Sequence, residues 1–147
     1  MTANGTLFAG ARSVMKERTF CIIKPDAMRN RTEGKIINEL LEAGFDILQL
    51  RLVRLDRDAA ERFYEAHRGK PFWEELIDLM TSGPIIAILL EGENAVAALR
   101  KFVGATNPRT AERGTLRRKY GTNTTRNALH AADSLGNAAV EASQFFY

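Results

Sequence analysis

The stretch Pro84-Ile-Ile-Ala-Ile-Leu-Leu-Glu91 is a continuous apolar run that follows Gly83. An apolar run of this length, bounded by turn residues, is typical of a strand that is covered on both faces. A second apolar run, Phe-Cys-Ile-Ile, lies within residues 19–24, and Pro25 closes that segment. Its length and composition predict another short buried strand. These two runs indicate a fold that is built around a sheet.

Strand and helix patterns alternate on either side of these runs. Residues 46–55 alternate leucines with polar side chains, which predicts a half-buried strand of an antiparallel pair. The leucines of its apolar face are Leu48, Leu50 and Leu52. Gly44 is placed to end the preceding helix in a left-handed conformation. Helices are predicted at residues 34–43, after Asp58, at residues 73–80, after Asn94 and at residues 134–146.

The last third of the chain is less regular. Residues 104–125 hold many polar residues and few apolar anchors, and a loop this long is usually functional or disordered. Residues 127–130 predict a short last strand. The whole order of elements favours an α+β fold of the split βαβ type, with helices packed on a face of one sheet.

Composition limits the classes of function. The chain has 147 residues and a net charge of +3, which suits one domain that binds small anions. Its single cysteine, Cys21, excludes an intrachain disulfide and a cysteine-based zinc site. No run reaches the roughly 20 apolar residues of a membrane span. We expect a cytoplasmic protein with a flexible arm at residues 1–16 and one domain at residues 17–147.

The common phosphate-binding and hydrolytic motifs are absent. The sequence contains neither the P-loop pattern nor Gly-x-Ser-x-Gly nor His-Glu-x-x-His. It does contain cations that grip phosphates and neutral donors that support them, at loops and element ends. These residues are Lys24, Arg100, Thr106, Asn107, Arg117 and Asn127.

His130 is the candidate nucleophile. A neutral imidazole attacks phosphorus well if a hydrogen bond fixes its tautomer and if cations or a helix terminus hold the phosphate oxygens. Asp133 and Ser134 are placed to begin the following helix, and Glu141 on that helix is placed to reach back. A lone histidine at such a position is also commonly a structural hydrogen-bonding group, so both interpretations stay open on these residues alone.

Six short motifs then resemble one family. The pattern Asn127-x-x-His130-x-x-Asp133-Ser134 resembles the active-site signature of nucleoside diphosphate kinases. Five further motifs resemble that family in its order and with compatible spacing, over residues 17–147. They are Lys24-Pro-Asp26, Lys70-Pro-Phe72, Ser82-Gly-Pro84, Gly104-Ala-Thr-Asn-Pro108 and Gly114-Thr-Leu-Arg117.

The resemblance implies a fold and a reaction. The fold would be a ferredoxin-like sandwich with an antiparallel four-stranded sheet. The reaction would be transfer of the terminal phosphate from a nucleoside triphosphate to a nucleoside diphosphate. It would follow a ping-pong route through phosphorylated His130, with Mg²⁺ on the nucleotide phosphates. The resemblance also implies a homo-oligomer, either a hexamer or a tetramer, and no stable contact with nucleic acid or membrane.

Site residues follow from the matched positions. Glu141 would orient His130, Phe72 would stack on the base, and Asp133 would act on the magnesium shell. The groups that contact phosphates, sugar or the transferred group would be Lys24, Tyr64, Arg100, Thr106, Arg117 and Asn127. Together with His130, the residues expected to take part in catalysis are Lys24, Tyr64 and Glu141.

The chain departs from the family pattern at a few positions. Ala131 and Ala132 stand where the family usually has Gly-Ser, and Lys70 stands where it has Arg. Arg118 and Lys119 also differ from the usual small or acidic residues. Two alternatives follow: a nonenzymatic ferredoxin-like module for RNA or a regulatory ligand, and a relative that has lost catalysis and acts as a scaffold. The strands lack the aromatic pattern of an RNA-recognition sheet.

Overall fold

The computed structural model describes residues 16–146, which form one sheet with helices on it. The strands are β1 (Lys16–Ile23), β2 (Asp46–Arg54), β3 (Pro84–Glu93) and β4 (Leu129–Ala131). The helices are α1 (Pro25–Arg29), α2 (Glu33–Glu42), α3 (Arg57–Phe63), α4 (Trp73–Met80), α5 (Ala95–Val103), α6 (Leu116–Tyr120) and α7 (Leu135–Ser143), with a 3₁₀ turn at Glu65–His67.

The sheet has the strand order β2-β3-β1-β4, and all of its neighbouring strands are antiparallel. β3 therefore separates β1 from β2, as in the split βαβ arrangement. This topology confirms the predicted α+β class and the four-stranded antiparallel sheet. The two strands that the apolar runs predicted, β1 and β3, are the two central ones.

Helices cover both faces of the sheet, whereas the sequence predicted helices on a face. Side chains alternate along β1, so that Phe20 and Ile22 enter one core and Cys21 and Ile23 the other. The first core holds residues of α3, α4 and α7, and the second holds residues of α1, α2, α5 and α6. Central strands that are apolar at consecutive positions need cover on each face, and the two cores provide it.

The leucines of β2 are not buried, which corrects the predicted half-buried strand. Leu48, Leu50 and Leu52 are 38%, 45% and 63% exposed. β2 is an edge strand that packs almost entirely on β3, and a bulge between Ile47 and Gln49 shifts its register. An apolar face therefore stays open at this edge of the sheet.

Several element ends also differ from prediction. The carboxylate that caps α3 belongs to Asp56, which accepts from the backbone N–H of Ala59 at 2.8 Å, and not to Asp58. The last helix ends at Ser143, and the segment expected to be a loop contains α6. The five-residue helix α1 was not predicted. The left-handed stop at Gly44 is confirmed by its φ of 100°.

The predicted N-terminal arm lies almost wholly outside the described residues. Its last residue, Lys16, is the first residue of β1, so the strand begins earlier than residue 19. Within residues 16–146, no helix has the length and apolar character needed to cross a membrane.

Candidate active site

One cavity of about 570 Å³ opens where β1 and β4 end, between the 3₁₀ turn, α5, α6 and α7. Asn107, a candidate from residue type alone, does not line it, and its Oδ1 accepts from the N–H of Arg109 at 3.0 Å. Every residue that the family resemblance predicted for the site does line it. These residues are Lys24, Tyr64, Phe72, Arg100, Thr106, Arg117, Asn127, His130, Asp133 and Glu141. The fold therefore gathers groups that are separated by up to 117 positions in the chain, from Lys24 to Glu141.

His130 is held by Glu141. Strand β4 places His130 opposite Ile22 of β1, and the Ser134 hydroxyl starts α7 by accepting from the N–H of Asn137. Helix α7 places Glu141 beside His130, so that Glu141 Oε1 lies 2.7 Å from His130 Nε2. A carboxylate only accepts hydrogen bonds, so Nε2 carries the proton of the neutral ring and Nδ1 keeps its lone pair.

Aromatic rings fix the plane of the His130 imidazole. Phe63 and Tyr64 both meet it edge to face, with ring centroids 5.0 Å and 5.7 Å away. Contacts of this geometry are favourable between rings. The imidazole is therefore constrained by packing as well as by the carboxylate.

Lys24 is a buried cation at the end of β1. Its Nζ donates to the Thr125 carbonyl at 2.6 Å and to Asn127 Oδ1 at 2.9 Å. Burial lowers the pKa of Lys24 to about 8, with Asp26 acting in the opposite direction and Arg117 adding to the lowering. At neutral pH the ammonium is still the main form, and it faces a cavity that suits an anion.

Asn127 organises the loops around the cavity. Its Oδ1 accepts from Lys24, and its Nδ2 donates to the carbonyls of Thr106 and Thr124, each at 3.1 Å. All of these bonds are within the protein. Asn127 is therefore placed to hold Lys24 and two loops together, while the exposed Thr106 side chain borders the cavity.

Two arginines each donate to a backbone carbonyl of β4. Arg117 donates to the carbonyls of Gly104 at 3.0 Å and Leu129 at 2.8 Å, and its buried Nε has no partner. Burial, with Arg100 nearby, lowers the pKa of Arg117 to about 10. Arg100 is exposed and donates to the Ala131 carbonyl at 3.1 Å. Both guanidinium groups border the cavity beside His130.

Tyr64 and Phe72 occupy opposite environments. Tyr64 is buried, its hydroxyl lies 3.7 Å from Met80 Sδ, and burial raises its pKa, so that it stays protonated. Phe72 is 41% exposed at the start of α4 and lies 5.6 Å from the His67 ring. An exposed aromatic face of this kind suits stacking against a flat ligand.

Asp133 lies on the rim and carries a negative charge. Its Oδ1 accepts from Asn137 Nδ2 at 2.5 Å, which holds the pKa of Asp133 below its usual range. Nowhere in residues 16–146 do three His, Cys, Asp or Glu side chains come together as a metal cluster. A metal ion at this rim would need a ligand that brings its own oxygens.

Sequence reasoning missed some groups that border or support the cavity. His67 lines the cavity, its Nδ1 is buried without a partner, and burial lowers its pKa, with Lys70 and His130 contributing. The sequence signal that could have indicated His67 was its position only three residues after Tyr64, a predicted site residue. Asp26, quoted only as part of a motif, accepts from the N–H of Ala128 just before β4.

The two alanines after His130 fit their places. Ala131 is a strand residue of β4 and does not have a positive φ, so that a glycine is not required there. Ala132 is 1% exposed within the apolar core beside β1, and its N–H donates to the Phe20 carbonyl at 3.0 Å. The backbone at these two positions therefore does not need the glycine that the family usually has after the histidine.

Comparison with known proteins gives one consistent result. A family model described as nucleoside diphosphate kinase matches residues 17–147. The chain is 48% identical over 130 residues to the nucleoside diphosphate kinase of Persephonella marina, covering 88% of this chain and 93% of that protein. It is 47% identical over 132 residues to that of Methanocaldococcus jannaschii, covering 90% and 94%.

Solved structures agree with the sequence comparisons. The Aquifex aeolicus nucleoside diphosphate kinase superposes with a TM-score of 0.87 at 38% identity, covering 90% of this chain and 96% of that one. A halophilic nucleoside diphosphate kinase from Halobacterium salinarum, solved in complex with CDP, gives 0.86 at 34% identity, covering 90% and 88%.

Proposed function

Because the chain belongs to the nucleoside diphosphate kinase family, phosphotransferases that act between nucleotides, we propose that it works in two steps through phosphorylated His130. The observation that carries this proposal is the bond between His130 Nε2 and Glu141 Oε1 at 2.7 Å. It leaves Nδ1 as the free nitrogen of a side chain that borders a cationic cavity.

In the first step, Nδ1 attacks the terminal phosphorus of a nucleoside triphosphate. A bond forms between Nδ1 and phosphorus, the bond from phosphorus to the bridging oxygen breaks, and the nucleoside diphosphate leaves with that electron pair. The proton on Nε2 remains between the ring and Glu141, whose charge stabilises the positive charge that the ring gains. In the second step, a different nucleoside diphosphate reverses the sequence and takes the phosphoryl group.

The cations of the cavity support this chemistry. Phosphoryl transfer demands little covalent work from a protein beyond the nucleophile, so that positioning and neutralisation of charge carry the rate. Lys24, Arg100 and Arg117 supply three positive charges around His130. Because donor and acceptor nucleotides bind alternately, the same groups can serve both half-reactions.

Phe72 is the proposed platform for the base. Stacking on an aromatic ring tolerates any base, since every base has a π-face. That tolerance suits an enzyme that accepts different nucleosides. The complex of the Halobacterium salinarum relative with CDP is consistent with a nucleotide site in a fold of this kind.

We propose Mg²⁺ as the cofactor, carried on the nucleotide phosphates. The residues fit this arrangement, since Asp133 offers a single ionised carboxylate on the rim and not a full ligand set. When bound, the ion would neutralise phosphate charge. Asp133 would face its outer shell. We expect the enzyme to act in the cytoplasm, on dissolved nucleotides.

Neither alternative has comparable support. An RNA-binding module of this type would need an open strand face with stacking aromatics, and helices cover both faces of this sheet. A catalytically inactive scaffold would have no need for the His130–Glu141 pair or for three cations around it. The accommodation of Ala131 and Ala132 removes the main argument for lost catalysis.

Labelling tests the nucleophile directly. The protein is incubated with γ-labelled ATP, and we expect an acid-labile, base-stable label that a nucleoside diphosphate removes. His130→Ala should not be labelled, whereas His67→Ala, which removes the only other histidine, should keep the label. Absence of label from folded wild-type protein would refute the two-step route, and label in His130→Ala would refute the choice of nucleophile.

We also propose a homo-oligomer. The open edge of β2, with the exposed Leu48, Leu50 and Leu52, is an apolar surface that a second copy of the chain would cover. Sedimentation equilibrium should give a multiple of 16.4 kDa, and a tetramer or hexamer is the expected size. Leu50→Glu should dissociate it, whereas Val140→Glu, at an exposed position of α7, should not. A monomeric wild-type protein would refute the proposal.

A further inference from the structure

Asp26 is a buried carboxylate outside the set of residues discussed for catalysis. It lies in the first turn of α1, is 6% exposed, and its Oδ2 accepts from the N–H of Ala128 at 2.9 Å. Its Oδ1 is buried without a hydrogen-bond partner. A buried, half-satisfied carboxylate is costly to keep, which indicates a role that an uncharged side chain would not fill.

The partner of Asp26 is a strained residue. Ala128 has a φ of 75°, in the region that L-residues rarely adopt. The N–H of Leu129 bonds to the carbonyl of Asn127 at 2.9 Å and closes a tight three-residue turn around it. Such a conformation persists only where its surroundings hold it.

Both polar groups of Ala128 are held by the segment that follows β1. The Asp26 carboxylate accepts a hydrogen bond from the N–H of Ala128. The backbone N–H of Lys24 donates to the carbonyl of Ala128 at 2.9 Å. On one side of this turn lies Asn127, which bonds the Lys24 ammonium, and on the other side the chain runs through Leu129 to His130. The positions of the cation and the nucleophile therefore depend on the same turn.

We propose that Asp26 is a positioning residue of the phosphotransfer site, which holds the strained Asn127–Ala128–Leu129 turn and places a negative charge near the buried ammonium of Lys24. This inference rests on the proposed function of His130 and Lys24. Asp26 touches neither the nucleotide nor the reacting atoms in this scheme; it acts through the two residues that do.

The charge of Asp26 has a separate consequence. Burial lowers the pKa of Lys24 to about 8, Arg117 on α6 adds to this, and Asp26 on α1 opposes it. Thr125 and Asn127 contact the ammonium as neutral acceptors. The other titratable groups that line this cavity are Arg62, Tyr64, Glu65, His67, Arg100, His130, Asp133 and Glu141. Loss of the Asp26 charge should therefore make Lys24 easier to deprotonate.

Asp26→Asn tests the charge, because the amide keeps the shape and an acceptor for Ala128. The pKa of Lys24 is followed by the NMR shift of its labelled Cε, and it should fall by about one unit. The rate of His130 phosphorylation should also begin to fall at a lower alkaline pH, by the same number of pH units. Asp58→Asn, an exposed control on α3, should change neither quantity. A Lys24 pKa that stays within about 0.2 units of the wild-type value would overturn the charge role.

Asp26→Ala tests the turn. Amide exchange at Ala128 should speed up, and the rate of His130 phosphorylation at saturating ATP should fall at least about tenfold. The double variant with Ala128→Gly should recover part of that rate, because glycine adopts a positive φ without strain. A rate loss that only matches the unfolded fraction, with no recovery, would overturn the positioning role.

The two proposals fail in different ways. The pKa of Lys24 and the rate of amide exchange at Ala128 are measured without any turnover. They therefore test the role of Asp26 even in a protein that is never labelled. Label on wild-type His130, with both of those quantities unchanged by substitution of Asp26, would refute only the role of Asp26. Absence of label, with both quantities shifted, would refute the two-step reaction and the catalytic part of this inference together.

Discussion

His130 and Glu141 are 11 residues apart in the chain, and their side chains meet with Nε2 and Oε1 2.7 Å apart. Both side chains are largely sheltered, at 20% and 17% exposure, so that water weakens this contact little. The pair settles which ring nitrogen is free. It also gives the imidazole a fixed counter-charge, from which the first prediction follows.

Glu141→Gln should slow phosphorylation of His130 by about 10- to 100-fold. A hydrogen bond to a charged group contributes roughly 1.5–3 kcal/mol, and the amide retains the contact without the charge. Rapid-quench measurement of the first half-reaction checks this. Glu112→Gln, at an exposed loop position, is the matched control and should react at the wild-type rate. An unchanged rate in Glu141→Gln would show that the carboxylate does not stabilise the reacting ring.

Lys24 should give the stability of the fold a distinctive pH dependence. Its pKa in the folded state is about 8, below the value of 10.5 for a free lysine. The unfolded chain therefore binds more protons between these two values, and stability rises with pH across that window. Relative to Lys24→Met, the wild-type protein should gain roughly 2 kcal/mol between pH 8 and pH 10. Urea unfolding of both proteins measures the difference, since other titrations cancel.

Nucleotide affinity should change with pH in the opposite direction to stability. As pH rises through about 8, Lys24 loses the charge that faces the phosphates, and nucleotide affinity should fall. Lys24→Met should bind weakly at every pH. If stability and affinity of the wild-type protein both stayed flat from pH 7 to 10, the assigned state of Lys24 would be wrong.

Gly104→Ala should damage both the fold and the site. Gly104 has a φ of 96°, and a Cβ there would lie 2.6 Å from the side chain of Thr115. Its carbonyl also accepts from Arg117, so a shift would release that guanidinium. We expect a loss of about 2–4 kcal/mol in unfolding free energy and weaker nucleotide binding.

Gly34→Ala is the control for this change, because it lies within α2 and a Cβ there meets nothing within 4 Å. It should leave binding unchanged and stabilise the helix slightly. Thermal unfolding and nucleotide titration separate the two variants. If Gly104→Ala and Gly34→Ala changed stability and binding equally, the close approach of Gly104 to the Thr115 side chain would have no importance.

Phe72→Ala should raise KM for all nucleotides by a similar factor and leave kcat at saturation nearly unchanged. Stacking of one base contributes about 1–3 kcal/mol, which corresponds to roughly 5- to 150-fold in affinity. Phe72→Tyr keeps the aromatic face and should restore binding. A change confined to one nucleoside, or a fall in kcat alone, would exclude Phe72 as a general platform.

Sequence patterns were sufficient for the centre of the fold and for the membership of the site. The apolar runs of β1 and β3 predicted buried strands, because only strands covered on both faces are apolar at successive positions. The motifs contained seven of the ten residues that border one cavity, and the family resemblance that the motifs established added Tyr64, Arg100 and Glu141. They could do so because a motif records which residue types occur together, even where the physical contacts are unknown.

Short elements and open surfaces escaped prediction. Helices α1 and α6 have five residues each, too few for a helical period to appear. The alternation in β2 correctly indicated an apolar face, but alternation does not reveal what covers that face. Its exposure follows from the place of β2 at the sheet edge, which depends on strands far away in the chain.

The residue types, the two central strands and the family membership were thus readable from the sequence alone, because they depend on local composition and spacing. Tertiary structure decided which nitrogen of His130 is free, how far the pKa of Lys24 falls, and that Asp26 holds the strained turn at Ala128. All three depend on burial, distance and hydrogen bonding, and the properties of Lys24 and Asp26 depend on contacts between segments about 100 residues apart in the chain. Such quantities exist only after the chain has brought those segments together.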